Sequence, residues 1–204
     1  MSPRQELALA LEAVLDDGRE EIIHQFILRN PTVLAVAPRS VRLWSKFRLG
    51  TNFATDFLCF GEQNTNAVSP LITMIEIERA DRPIFTASGD PAAILTHAVR
   101  QVQDWKQWVL ANREYLARDI LDRWADSAPV GDDNPRFDED FYKQRLLRHF
   151  AVFYYVIVGR RTSLRVPELL RLEQMNEDLS NIQIITYDVL IQALLGGSGE
   201  RFYY

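Results

Sequence analysis

Two short apolar segments of this chain carry acidic residues where a strand is predicted. They are residues 55–58, Thr-Asp-Phe-Leu, and residues 74–79, Met-Ile-Glu-Ile-Glu-Arg. Apolar β-branched and aromatic residues dominate both segments, and the polar residues 61–70 between them are typical of a turn. A buried carboxylate is costly unless it finds water, a hydrogen-bond donor or a cation. The fold must therefore place this strand pair so that its acidic side chains are satisfied.

The acidic side chains of the pair are predicted to converge. Strand alternation puts Glu76 and Glu78 on one face, and Asp56 joins them if the two strands are neighbours. Converging carboxylates repel one another unless a cation lies between them, and hard oxygen ligands suit Mg²⁺ or Mn²⁺. The same alternation is also typical of a strand with a solvated polar face. A metal site and a solvated face are therefore the two alternatives.

Length and composition indicate one domain over residues 1–204, with an N-terminal helix in residues 1–29 and a core over about 40–195. Hydrophobic residues make up 47% of the chain, which is ample for a core. The only cysteine, Cys59, excludes a disulfide framework and a cysteine-rich zinc site. A formal net charge of −5 argues against a general electrostatic grip on nucleic acid.

The chain has no predicted membrane segment. It opens on an amphipathic helix rather than a secretory signal, and its longest apolar run, residues 150–158, is too short to span a bilayer. We therefore expect a soluble, cytoplasmic protein.

The order of predicted elements is that of an α/β protein. The continuous apolar run at residues 150–158 is typical of a strand buried inside a mixed sheet. The predicted helices cover residues 4–29, about 90–116, a segment before 149, 167–179 and 187–195. The first is broken at Asp17-Gly18, and the second begins with Asp90 as its cap and Pro91 in its first turn. The other predicted strands cover residues 41–48, 53–60, 71–79 and 182–186.

Two helices carry polar residues that could reach the strand pair. Gln101 lies on one stripe of the long helix with Ala98 and Trp105. A buried amide needs partners, so Gln101 either bonds to nearby backbone or orients a ligand, a metal-bound water or a phosphate at the carboxylates. Glu20 and Glu21 begin the second half of the N-terminal helix, where each is either a solvated residue or a further ligand.

Several short motifs, in this order, carry a family resemblance. They are Glu21-x-x-x-Gln25-Phe26-x-x-x-Asn30-Pro31, Thr55-Asp56-Phe57, Ile75-Glu76-Ile77-Glu78, Gln101-x-x-x-Trp105, Val158-Gly159-Arg160 and Ile185-Thr186-Tyr187-Asp188-x-Leu190. Their order and spacing, over about residues 20–195, resemble the Shedu nuclease domain. Shedu proteins belong to the PD-(D/E)xK superfamily of metal-dependent nucleases and act in bacterial defence against phage.

The resemblance implies a restriction-endonuclease-like mixed sheet flanked by helices. It implies Glu21, Asp56 and Glu76 as metal ligands for Mg²⁺ or Mn²⁺, and Gln101 as the helix residue of the site. With Glu78, the catalytic set is then Asp56, Glu76, Glu78 and Gln101. The implied reaction is phosphodiester hydrolysis, with nucleic acid as partner and DNA as the expected substrate.

One position departs from the superfamily pattern, which usually ends in Lys where this chain has Glu78. The usual Lys orients the attacking water and neutralises charge on the phosphate. In one alternative, Glu78 binds a metal or accepts a proton from water, and a second cation supplies the positive charge that the Lys would carry. In the other, catalytic activity has been lost and the fold is kept for binding. Lys46 and Lys106 are the nearest candidates in sequence for a relocated cation.

The remaining expectations concern phosphate contacts, target sensing and alternative functions. Arg160 and Arg161 are auxiliary phosphate contacts or part of a solvated charged face. Shedu proteins generally carry a further N-terminal region, whereas this chain has little beyond one helix before Glu21. We therefore expect target sensing to come from a homo-oligomer or from a separate partner, or to be absent. The alternative functions are an inactive nuclease-fold module that binds nucleic acid or a protein, and a metal-dependent hydrolase of small phosphorylated molecules. The last lacks support because the chain has no Gly-rich phosphate loop.

Overall fold

The computed structural model of the protein describes residues 1–34, 40–62, 69–130 and 138–196. The strands are β1 (Ser40–Ser45), β2 (Arg48–Leu49), β3 (Phe53–Ala54), β4 (Phe57–Glu62), β5 (Pro70–Ile77), β6 (Ala128–Pro129), β7 (Ala151–Ile157) and β8 (Ile182–Ile185). The helices are α1 (Pro3–Asp17), α2 (Glu20–Arg29), α3 (Ala93–Ala111), α4 (Arg113–Asp122), α5 (Glu139–Leu146), α6 (Val166–Asp178) and α7 (Tyr187–Gly196).

A six-stranded mixed sheet forms the centre of the fold, in the order β6-β1-β4-β5-β7-β8. On one side of β5 the pairings are antiparallel, to β4 and then β1; on the other side β7 and β8 run parallel to it. The predicted α/β class, with a mixed sheet flanked by helices, is confirmed, and the architecture is consistent with a restriction-endonuclease-like fold. The short strands β2 and β3 form a separate hairpin after β1.

The two faces of the sheet bury different sets of strand residues. Phe57, Ile75 and Ile77 pack into a core with α1, α2 and α7. Leu58 and Met74, their immediate neighbours along the strands, pack into the core beneath α3 to α6. This alternation is the one predicted for residues 74–79, because successive side chains of a strand leave opposite faces.

The long central helix begins later than predicted. Asp90 does not cap it, because the Asp90 side chain accepts a hydrogen bond from Ser88 Oγ (3.1 Å) and its N–H donates to Thr86 Oγ1 (3.1 Å). The helix α3 instead starts after Ala92, whose N–H donates to Ile84 O (2.8 Å). The predicted cap was wrong because the Asp and Ser side chains close a turn of their own.

The same helix also ends earlier than predicted. Asn112 interrupts it with φ −131°, and its side-chain amide donates to the Trp108 carbonyl (2.8 Å). Helix α4 then begins at Arg113. Asn competes for backbone hydrogen bonds in this way and therefore favours helix ends.

The predicted strands 41–48 and 53–60 are each divided, because residues 48–49 and 53–54 form the separate hairpin of β2 and β3. The N-terminal helix breaks at Asp17-Gly18 as predicted, and the strand predicted at residues 150–158 is the parallel strand β7, Ala151–Ile157. The predicted turn at residues 61–70 lies partly outside the described residues, and residues 131–137 and those after Gly196 lie outside them. Within the described part of the chain, no helix is long and apolar enough to cross a membrane.

Candidate active site

Asp56 and Glu76 lie side by side at the carboxyl end of β5. The antiparallel register pairs Phe57 with Ile75, so Asp56, one residue before β4, lies opposite Glu76. Both side chains are buried, with 4% of Asp56 and 7% of Glu76 exposed. Asp56 Oδ2 accepts a hydrogen bond from the Ile77 N–H at 2.8 Å, which fixes the carboxylate against the end of β5. The predicted neighbouring strands are therefore confirmed.

Glu76 is only partly satisfied by its surroundings. Among the described atoms, its buried Oε2 has no hydrogen-bond partner. Burial raises the pKa of Glu76 well above its ordinary value, and the negative charge of Asp56, a hydrogen bond with its carboxylate and the charge of Glu78 raise it further. Two carboxylates this close are not both ionised easily without an added positive charge.

Lys46 reaches this pair. It lies in the turn between β1 and β2, and its Nζ forms an ion pair with Asp56 Oδ1. Its N–H also donates to the Asp56 carbonyl (2.9 Å), so backbone and side chain both contact the same residue. The charge of Lys46 opposes the rise in the pKa of Glu76. One of the two lysines considered from the sequence is thus at the site.

The other candidate, Lys106, lies elsewhere. Its Nζ donates to the Ser180 carbonyl (2.7 Å), just before β8 begins. That contact is at the amino end of the parallel strands, whereas Glu76 is at the carboxyl end. Lys106 is therefore a suitable control for Lys46, because it lies away from the acidic residues.

Glu20, rather than Glu21, approaches the carboxylate pair. Glu20 is half-buried, and burial followed by the charge of Asp56 raises its pKa. Glu21 is exposed, and its Oε1 accepts a hydrogen bond from Gln25 Nε2 (3.0 Å). The structure thus brings the neighbour of the predicted ligand to the site.

Gly18 explains how Glu20 gets there. Gly18 has φ +72°, which favours glycine, and a Cβ at this position would lie 2.4 Å from Asp81 Cβ. The Gly18 carbonyl accepts a hydrogen bond from the Ala80 N–H (3.2 Å). The turn between α1 and α2 therefore packs directly on the segment after β5, which places the start of α2 beside the carboxylates.

Glu78 lies just beyond the end of β5 and completes the acidic cluster. It is half-buried, and burial, then the charges of Glu20 and Asp56, raise its pKa to about 7. Its backbone is held firmly, because the Glu78 N–H donates to the Ile157 carbonyl (2.9 Å) and its carbonyl accepts from Tyr187 Oη (2.7 Å). We call Glu20, Asp56, Glu76 and Glu78 the acidic cluster.

His24 lies beneath the turn that carries Lys46, a contact that the sequence did not suggest. Its ring is 4% exposed and stacks on Phe57, with centroids 4.6 Å apart. Its Nε2 is 3.2 Å from Ser45 Oγ, at the end of β1. Burial and the nearby Lys46 charge lower the pKa of His24, so it supports the turn as a neutral ring.

The described residues do not form a three-ligand metal cage: among them, no group of three or more His, Cys, Asp or Glu side chains is placed to hold a metal ion. The arrangement instead offers two adjacent buried carboxylates, a lysine and two half-buried glutamates. Such a set can bind a cation through one or two carboxylates and can accept a proton at Glu78.

The match to a known family covers this arrangement. The family described as Shedu protein SduA, C-terminal, matches residues 17–191, which contain the whole acidic cluster and Lys46. The chain belongs to this Shedu family. Membership suggests a role in anti-phage defence. None of the curated proteins matches the chain.

The arginines expected at this Shedu site differ from each other. Arg160 is 17% exposed at its side chain, and it pairs with Asp188 (3.2 Å) and Glu12 (3.5 Å). Arg161 is exposed, and its backbone N–H donates to Asp188 Oδ2 (2.5 Å). Both follow the carboxyl end of β7, which is parallel to β5 and therefore ends at the same edge of the sheet as β5 and Glu78. The Arg160 side chain is thus committed to internal ion pairs, while that of Arg161 is accessible.

Gln101 is the remaining residue expected from the Shedu resemblance. It is half-buried on α3, beside the buried Val102. Within the described part of the chain, no hydrogen bond joins it to the acidic cluster. Its proposed role in orienting water or phosphate stays a prediction.

Proposed function

We propose that this Shedu domain is a metal-dependent nuclease that hydrolyses phosphodiester bonds, with DNA as its substrate, in defence against phage. The observation that carries the proposal is the buried pair Asp56–Glu76, with Lys46 beside it and with Glu76 Oε2 unpartnered among the described atoms. The pairing of such carboxylates on adjacent strands of a mixed sheet also supports membership of the PD-(D/E)xK superfamily.

The donor set fits Mg²⁺ or Mn²⁺. Mg²⁺ is usually held by one or two carboxylates, with water and substrate phosphate oxygens completing its coordination. Asp56 and Glu76 would hold the ion, and Glu20 would contact it through water. When bound, the ion would polarise the scissile phosphate and make a bound water more acidic. A divalent charge would also relieve the repulsion that raises the pKa of Glu76.

The chain's own residues divide the remaining tasks. Glu78 is half-buried with a pKa near 7, so its carboxylate accepts the proton of the attacking water. Lys46 supplies the positive charge that Glu78 cannot, and its ammonium neutralises charge developing on the phosphate. Gln101 would orient the water or the phosphate, and Arg161 would contact the DNA backbone.

The test is cleavage of supercoiled DNA, linear DNA and RNA by purified protein with Mg²⁺, with Mn²⁺ and with EDTA. We expect cleavage that EDTA abolishes and that Glu76→Ala removes. Glu114→Ala is the control, because Glu114 is an exposed glutamate on α4 that pairs with Arg118. If neither DNA nor RNA is cut with either metal, the nuclease proposal fails.

A second candidate function is an inactive module that binds nucleic acid. It is favoured by Glu78 in place of lysine and by the Lys46 ammonium on Asp56 Oδ1. This module would bind DNA without cutting it, and its affinity would fall steeply with salt because phosphate contacts release counterions. Binding measured at several salt concentrations, beside the cleavage assay, separates the two functions.

A further inference from the structure

The turn that carries Lys46 is held in a costly backbone conformation. Lys46 has φ +50°, in the left-handed region that L-residues rarely adopt. Such a conformation is unfavourable for a residue with a Cβ and persists only when surrounding contacts impose it. Here the turn is fixed by two backbone bonds, Lys46 N–H to Asp56 O and Thr55 N–H to Phe47 O, both 2.9 Å. The position of Lys46 beside Asp56 is therefore built into the fold.

The two partners of the ion pair differ in how freely each can move. The Asp56 side chain is 5% exposed, and its Oδ2 is bound to the Ile77 N–H. The Lys46 side chain is 55% exposed, on a flexible four-carbon stem. The ammonium can therefore leave Asp56 by rotation of its own side chain while the turn stays in place. The carboxylate cannot follow it.

Each of the two carboxylate oxygens of Asp56 already has a partner. Its Oδ2 accepts from Ile77 N–H, and its Oδ1 is paired with Lys46 Nζ. A cation that binds Asp56 through Oδ1 must either share that oxygen with Lys46 Nζ or replace the ammonium there. Glu76 Oε2, by contrast, has no hydrogen-bond partner among the described atoms. The lysine and a divalent ion would thus compete for one oxygen of Asp56.

We propose that Lys46 is a displaceable counter-ion, which holds Asp56 Oδ1 until a divalent cation takes that oxygen. This role rests on the proposed function and gives Lys46 a second task, because the lysine acts once before the metal binds and once afterwards. The ammonium first neutralises Asp56 and prevents the acidic cluster from repelling itself apart. Once displaced, it stays within the length of its side chain from Asp56, where a substrate phosphate would meet it.

The effect of removing the Lys46 charge on metal affinity distinguishes this role from a purely structural one. A structural lysine holds the site together, so its removal would weaken metal binding. A displaceable counter-ion competes with the metal, so its removal strengthens metal binding although it damages catalysis. The two roles therefore predict opposite changes in the dissociation constant for the metal.

The experiment is a calorimetric titration of the full chain with Mn²⁺, comparing wild type with Lys46→Met. Met keeps most of the stem and removes the charge. We expect Lys46→Met to bind Mn²⁺ roughly fivefold more tightly, as loss of one partly exposed ion pair allows. Lys46→Gly is the second variant, because Gly adopts φ +50° without strain and keeps the turn folded. It should also bind Mn²⁺ more tightly than wild type.

Lys106→Met is the matched control, since it removes one lysine charge far from Asp56 and should leave Mn²⁺ affinity unchanged. If Lys46→Met and Lys46→Gly bind Mn²⁺ no more tightly than wild type, the counter-ion proposal is overturned, even where wild type binds Mn²⁺ and cuts DNA. If wild type binds no Mn²⁺ and cuts nothing, the proposed function falls, and this inference falls with it.

Discussion

Glu76 and Glu139 show how differently this protein treats two of its glutamates. Glu139, at the start of α5, pairs with Arg42 (2.8 Å) and Lys143 (2.6 Å). These hydrogen bonds lower the pKa of Glu139 to about 2, with Lys143 contributing most. Glu76 is more deeply buried, lies beside Asp56 and has its pKa raised. One glutamate is surrounded by positive charge, and the other is placed beside further negative charge.

The contrast teaches what each position is for. Around Glu139 the chain supplies the cations itself, so the group is a structural contact between β1 and α5. Around Glu76 it supplies one lysine for a four-residue acidic cluster. Perturbed groups with too little compensation are characteristic of functional sites. The predictions below test this difference between Glu76 and Glu139.

The largest expected effect is on cleavage. Asp56→Asn removes the charge that a metal ion requires beside Glu76, so we expect cleavage to fall by roughly a thousandfold, as loss of several kcal/mol of stabilisation implies. Glu139→Gln should leave the rate within about a factor of two of wild type, because a surface contact away from the site is lost. Initial rates on linear DNA with Mg²⁺ measure both. Equal losses in the two variants would show that the contrast has no functional meaning.

The next effect is stabilisation by a divalent ion. At a hundredfold excess over its dissociation constant, Mn²⁺ should raise the wild-type Tm by roughly 5 to 10 °C. Asp56→Asn should lose most of this rise, and Glu139→Gln should keep it. Melting curves followed by circular dichroism with Mn²⁺ and with EDTA provide the measurement. A wild-type Tm that Mn²⁺ leaves unmoved would contradict the metal site.

A smaller effect is the response of stability to pH in EDTA. Glu76 and Glu78 have raised pKa values, so their contribution to stability is fully present below pH 4.5 and is lost as pH rises toward 7 and beyond. Glu139 behaves in the opposite way, and its contribution is lost as pH falls from 4.5 toward 2. Glu76→Gln should therefore raise Tm by roughly 2 to 6 °C at pH 8, with little change at pH 4.

Glu139→Gln should instead lower Tm at pH 8 and lose that effect near pH 2. Melting temperatures of the three proteins in EDTA at pH 2 to 8 show both trends. If Glu76→Gln lowers Tm at pH 8, then Glu76 is satisfied by its surroundings in the same way as Glu139.

The smallest effect extends the comparison to the two arginines after β7. Arg160 compensates Asp188 and Glu12, while the Arg161 side chain is exposed after β7. Arg161→Ala should weaken DNA binding and reduce the salt slope by about one. Arg160→Ala should mainly lower the melting temperature. Fluorescence anisotropy at several salt concentrations, with EDTA present, gives the slopes. A change of slope for Arg160 but not for Arg161 would reverse these assignments.

Much of the sheet and three of the four residues of the acidic cluster, Asp56, Glu76 and Glu78, could be predicted from the sequence. Strand periodicity is local, so alternation placed Ile75 and Ile77 on one face and Glu76 on the other. The neighbouring strands followed from the short segment between them. Asp56 and Glu76 therefore come together as predicted.

The rest depends on contacts between distant parts of the chain. Adjacent helix residues differ by about 100° in direction, so whether Glu20 or Glu21 reaches the site depends on how α2 packs. That packing depends on the close approach of Gly18 to Asp81. The sequence offered Lys46 and Lys106 as candidate cations without choosing between them. The position of Lys46 depends on a left-handed turn, which no sequence periodicity indicates.

The mixed pairing of β5 has a consequence for how the protein folds. Its antiparallel partner β4 ends eight residues before it, while its parallel partner β7 begins more than seventy residues after it. The hairpin of β4 and β5 brings Asp56 and Glu76 together through a local contact, which forms quickly. Until β7 is synthesised and docks, the other edge of β5 is an open template for wrong strand pairing. We expect the carboxylate pair to assemble early on the ribosome, and its burial to wait for the second half of the chain.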